Sequence, residues 1–169
     1  MKFLVLFSFT LSLLMSCLTR TLLPPPGWRL PSSAETKAEW RNEDPSRYLV
    51  VQADFNGDGT MDEARLLLRD PGPGFGLFAF VSQKDGLLKA YALEAVKDTG
   101  YIEVMDITVA PPGLYKTACG KGYFDCSEGE PKEILLRHPA INYFKEGSAN
   151  AFFYWDEATE TFKMVGISD

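Results

Sequence analysis

The chain has 169 residues, with 17 Lys and Arg against 23 Asp and Glu, a formal net charge of −6, one histidine and three cysteines. That length suffices for one domain with a sizeable core and leaves little room for a second. The acidic balance, without any lysine or arginine run, sets nucleic acid aside as a partner and leaves the polypeptide no attraction of its own for anionic lipid.

The first segment, MKFLVLFSFTLSLLMSC, carries Lys2 ahead of an apolar stretch over 3–15 interrupted only by hydroxyls. It is shorter than the roughly 20 apolar residues of a membrane span and fits an export signal over 1–16. Leu14-Met15-Ser16-Cys17 resembles a bacterial lipobox. The resemblance implies cleavage before Cys17 and acylation of Cys17, so that the lipid is the membrane attachment. With Leu18 and Thr19 following, and no aspartate, it further implies the outer membrane, facing the periplasm. A plain secretory signal ending near a cysteine is the competing reading. Export exposes Cys119 and Cys126 to an oxidising compartment, where a leftover pair forms a disulfide. A loop of that size is worth about 2–3 kcal/mol in the chain-entropy model. A zinc pair needs closer spacing and further ligands.

Residues 17–33 read as a tether, with Pro24-Pro25-Pro26 favouring extended geometry and Trp28 marking the first contact with the domain. Residues 34–169 read as a single β-rich domain. Ser32 or Ser33 caps a short helix expected over 34–42, and Asp44-Pro45 ends it. Strands are expected over 48–53 (YLVVQA), 64–69 (ARLLLR), 77–82 (LFAFVS), 88–93 (LKAYAL), 102–109 (IEVMDITV), 134–137, 141–144, 151–155 and 161–167. The connections are rich in Pro and Gly, as in DPGPGFG and APPG. Short strands at this spacing predict a mainly β, antiparallel domain with one short N-terminal helix.

The most specific stretch is ADFNGDGTMDEA, residues 53–64. Asp54, Asn56 and Asp58 alternate around Gly57 and Gly59, Thr60 offers a carbonyl at the seventh position, and Asp62, at the ninth, offers a carboxylate able to bind directly. Calcium takes six to eight such oxygens. The loop is not an EF-hand, because the twelfth position is Arg65 rather than glutamate and the flanks read as strands. The pattern Val-x-Ala-Asp-Phe-Asn-Gly-Asp-Gly-x-x-Asp over about residues 48–82 resembles the calcium loops of FG-GAP, or VCBS-type, propeller repeats. That resemblance implies Asp54, Asn56, Asp58, Thr60 and Asp62 as ligands of a structural calcium. A single copy cannot form a propeller, which needs several blades. An Asp- and Gly-rich turn without an ion is the alternative.

Signals for catalysis are weak. His138 is the lone histidine and reads as structural; no G-x-S-x-G elbow or phosphate-cradling glycine loop is present. The run Phe152-Phe153-Tyr154-Trp155 sends alternate side chains to opposite faces. Either one face is an aromatic platform for protein or sugar, or both are covered, one by the main sheet and one by the N-terminal helix around Trp40. The expected function is a lipid-anchored cell-envelope binding module, not an enzyme, with an envelope protein or polymer as partner; one version is an immunity or inhibitor protein. A hydrolase of envelope polymers using acidic residues, and a purely structural envelope component, are the rivals.

Overall fold

A computed structural model describes residues 22–36, 39–41, 48–83, 85–98 and 100–168. The expected signal, Cys17 and the first part of the tether lie outside these residues. The strands among them are β1 (Trp28–Arg29), β2 (Val50–Ala53), β3 (Asp62–Arg69), β4 (Phe75–Ser82), β5 (Leu88–Val96), β6 (Met105–Ala110), β7 (Gly113–Lys116), β8 (Glu133–Leu136), β9 (Ala140–Lys145), β10 (Asn150–Asp156) and β11 (Thr161–Ser168). Every pairing is antiparallel. β3, β4 and β5 form a sheet whose β3 edge carries β2 at one end and β1 at the other. A second sheet runs β11-β10-β9-β6, and β7-β8 make a third. This is the mainly β, antiparallel domain expected, without a closed barrel or propeller.

Period-two alternation explains how the sheets stack. In β3 and β4, Leu66, Leu68, Phe75, Leu77 and Ala79 face Ile107, Ile141 and Phe153 of the second sheet in the main core. The intervening Leu67, Phe78 and Phe80 face outward, where Leu22 and Trp28 cover them. β4 is buried along its whole length, which is why its sequence, FGLFAFVS, reads as a continuous apolar run. The second sheet is likewise covered twice. Its far face meets Ile134 and Leu136 of β8 through Ala140, Phe152, Val165 and Ile167.

The N-terminal segment departs from expectation. Of the helix expected over 34–42, the described residues show a turn ending at Thr36 and a single 3-10 turn, Glu39–Arg41; residues 37, 38 and 42 are not among them. The capping geometry at Ser32 is present all the same. The Glu35 carboxylate accepts the Ser32 amide at 2.9 Å and its hydroxyl at 2.8 Å. It also takes the Arg29 guanidinium at 2.5 and 2.8 Å, which folds the turn back onto β1. Contact with the sheet reaches back to Leu22, earlier than Trp28. β1 and β7 were not expected: one lies inside the segment read as tether, the other directly after the Pro111-Pro112 break.

Arg41 fastens this segment to the second sheet. Its guanidinium donates to the carbonyls of Thr36, Ile102, Glu103 and Met105, and to Asp106 Oδ1 at 2.7 Å. Both side chains of the pair are 0% exposed. Burial lifts the Asp106 carboxyl to about 6, against the pull of the Arg41 charge.

Candidate functional site

The 54–62 loop connects β2 to β3 and is organised by its own acidic side chains. Asp54 Oδ1 accepts the amides of Gly57 (2.7 Å) and Asp58 (3.0 Å), and Oδ2 accepts that of Gly59 (2.8 Å). Asp58 Oδ1 accepts the Thr60 amide at 2.8 Å, and its Oδ2 accepts Asn56 Nδ2 at 3.1 Å. Asn56 Oδ1 in turn accepts the Asp58 amide at 3.1 Å. The loop is therefore curled by hydrogen bonds among its own residues, with Asp54 Oδ1 accepting two amides and Asp54 Oδ2, Asp58 Oδ1 and Asn56 Oδ1 accepting one each.

Asp62 is placed differently from the other four. As the first residue of β3 it shares the inward phase of Ala64 and Leu66 and is 1% exposed. Its Oδ2 accepts the Phe55 amide at 3.0 Å and its Oδ1 the Ser82 amide at 2.8 Å, tying the loop to the end of β4. Burial raises its carboxyl above the usual range, the two amides pull it down, and the charges of Asp58 and Asp54 raise it further. Among the described residues, no three His, Cys, Asp or Glu side chains are grouped so as to hold a metal ion. Arg65, at the twelfth position, lies within β3 on its outer face and pairs with Glu63.

His138 caps the loop. A Cβ at Gly57 would overlap the imidazole, and Gly57 has φ +75°, so glycine is required twice over. His138 Nε2 lies 3.2 Å from Glu157 Oε1, and Arg137 approaches the other oxygen at 3.8 Å. Its partners are thus a glycine and a carboxylate in an ion-paired turn.

Two clefts open beside this cap. One, of about 490 Å³, lies between the β8–β9 connection and the end of β10, with Arg137, His138, Tyr154 and Asp156 in its walls. The other, of about 310 Å³, lies between the acidic loop and β5, with Asn56, Asp58, Lys89 and Tyr91 in its walls. Trp155 and Glu157 line both. The indole is held by Tyr91 (5.6 Å between centroids, 89° between planes) and Phe162 (5.3 Å, 79°). Of the aromatic run, Phe152 and Phe153 are buried on opposite faces, under β7–β8 and under the first sheet respectively. Both faces are thus covered there, by sheets on each side; the side chain of Trp40 lies outside the described residues. Only Tyr154 and Trp155 remain half-buried. Sequence reading pointed to Trp155 but not to Tyr91 or Glu157. No local pattern joins them, since they come together only through the sheet packing.

Cys119 and Cys126 are bonded, with sulfurs 2.12 Å apart. They staple the 117–132 excursion between β7 and β8, which Ala118 docks on β11 through the Gly166 carbonyl at 2.8 Å. This lies apart from the acidic loop in sequence and in its contacts. Among the described residues, no helix is long and apolar enough to cross a membrane. No protein-family model, curated protein or solved structure matches the chain.

Proposed function

We propose that the protein is an exported, lipid-anchored component of the bacterial envelope that binds a partner without catalysis, and that its 54–62 loop holds a structural calcium. The observation that carries this reading is the build of the loop. All five candidate ligands, Asp54, Asn56, Asp58, Thr60 and Asp62, offer oxygen, which suits a hard cation. Asp62 is anchored to both the loop and β4, so an ion there would lock the β2–β3 hairpin to the first sheet. Anchoring through Cys17, and the outer-membrane location, rest on the lipobox resemblance. The partner is an envelope protein or polymer; an exported toxin neutralised by an immunity or inhibitor protein is the narrowest version. A purely structural envelope role remains the fallback should neither ligand nor partner be found.

The test combines a melting curve and a fractionation. Calcium should raise the melting temperature over the chelated protein, and Asp58→Ala should abolish the difference; identical curves would sink the calcium assignment. Cys17→Ser should move the protein from the membrane to the soluble fraction; retention in the membrane would sink the lipid anchor. The hydrolase reading draws on one observation, that Asp58, Glu157 and Glu160 line the cleft beside the loop. It requires turnover of an envelope polymer that one acidic substitution removes while the fold persists.

A further inference from the structure

The two clefts beside His138 share a wall, and that wall is Trp155 with Glu157. Together they run across the end of the sandwich, from Arg137 on one side to Lys89 on the other. Each has the size of a small-ligand cleft, for which roughly 300–1,000 Å³ is usual. The indole between them is fixed edge-to-face by Tyr91 and Phe162, so presenting it to a ligand costs little conformational entropy.

Charge pairing around the clefts narrows the ligand class. Glu157 is paired with His138 and Arg137. Asp156 is paired with Lys163 at 2.9 Å and accepts the Thr159 hydroxyl at 2.5 Å. Asp58 is occupied by Asn56 and the Thr60 amide. The Lys89 ammonium rests over the Tyr91 ring, 4.7 Å from its centroid. Phosphate or an acidic peptide would meet Glu157 in both clefts, Asp156 in one and Asp58 and Glu160 in the other, against Arg137, His138 and Lys89, of which Arg137 and His138 are already turned to Glu157. An organic cation at Glu157 or Asp156 would have to displace the ion pairs those carboxylates already make. A neutral, polyhydroxylated ring meets neither obstacle. Its apolar face suits an aromatic wall, and its vicinal hydroxyls suit carboxylate, amide and hydroxyl groups arranged around that wall.

We propose that the clefts flanking Trp155 form one groove for a neutral glycan at least two sugar rings long, with Trp155 as the wall against which the chain packs and Glu157 and Asn56 as hydroxyl partners on either side. The inference deepens the binding-module reading and rests on it, by naming the partner as an envelope polysaccharide.

The full chain, purified in detergent, is titrated calorimetrically with N-acetylglucosamine tetrasaccharide, maltotetraose and an anionic heparin tetrasaccharide, and the probes are then analysed for cleavage. At least one neutral probe should bind in preference to the anionic one. Trp155→Ala should weaken it by about tenfold or more, as loss of an aromatic anchor does, and Trp28→Phe, on the opposite side of the first sheet, should leave it unchanged. Should Trp155→Ala not fold, Glu157→Gln and Asn56→Ala each should weaken binding several-fold. Absence of binding by the folded chain, preference for the anionic probe, or binding indifferent to all three groove substitutions would overturn the proposal. If no glycan binds but one purified envelope protein does, and Trp155→Ala removes that interaction, the glycan falls and the binding-module reading stands. Cleavage of a bound neutral probe, lost in Glu157→Gln, would support the groove and overturn the non-enzymatic reading.

Discussion

Breaking the Arg41–Asp106 pair while leaving one charge behind should be among the most damaging single changes available to this fold. At 2.7 Å and an effective dielectric of about 20, the attraction is about 6 kcal/mol. Stripping water from each ion costs several kcal/mol, so the intact pair is close to neutral in its net contribution. The lift of Asp106 to about 6 agrees with this near balance, and still leaves the carboxyl mostly ionised at pH 7. Asp106→Ala removes this attraction but not the cost of burying the guanidinium, and main-chain carbonyls of Thr36, Ile102, Glu103 and Met105, which are among its other partners, carry no charge to replace it. The expected loss is about 3–5 kcal/mol. For a chain of this size that is a fall in melting temperature of roughly 6–20 °C. Arg41→Met combined with Asp106→Leu should recover most of it, because no charge is then left buried. Thermal unfolding followed by circular dichroism at pH 7 measures all three variants. A loss below about 1 kcal/mol in Asp106→Ala, or a double variant no better than the single one, would refute the reasoning.

Gly57→Ala should cost roughly 1–3 kcal/mol through its positive φ and its overlap with the imidazole, and should cost less in a His138→Ala background; equal penalties in the two backgrounds would show that the ring is not the obstacle. The Glu35 carboxyl is held down from its ordinary 4.5 to about 2, first by Arg29 and then by Ser32. Because the folded value is the lower one, its contribution is present above about pH 4.5 and is lost as the pH falls through about 2. The pair is exposed to water, so the loss is at most about 1 kcal/mol and local. The protection factor of the β1 amides, taken against their intrinsic exchange rate at each pH, should fall as the pH drops below 4.5 in the native chain and be already low and unchanging over that range in Glu35→Gln; identical profiles would count against the contact.

At Ser32 the expected capping is present, while the described residues of the expected helix show a turn and the single 3-10 turn Glu39–Arg41. Ser32 reads as a candidate helix cap, and its contacts with the Glu35 carboxylate form. Arg29, three residues before Ser32, then claims the same carboxylate from β1, a strand too short for its sequence to announce. Arg41 extends this theme. No local pattern marks it, and the sheet edge at Met105 and Asp106 makes it a buried clamp.

What the sequence determines by itself is whatever depends on near neighbours. Alternating and continuous apolar runs locate most of the strands, since a strand's two faces are set by backbone geometry alone. Glycines among aspartates locate a curled acidic loop, because both its backbone freedom and its acceptors lie within nine residues. Position inside the fold follows from longer-range contacts. Asp62 looks equivalent to Asp54 and Asp58 along the chain, yet it is drawn inside because β3 begins there in phase with Ala64 and Leu66. Trp155, Tyr91, His138 and Glu157 meet beside the loop only because two separate sheets pack with their ends in register. Strand alternation says which face a side chain takes; the packing of one sheet on another decides what it meets there.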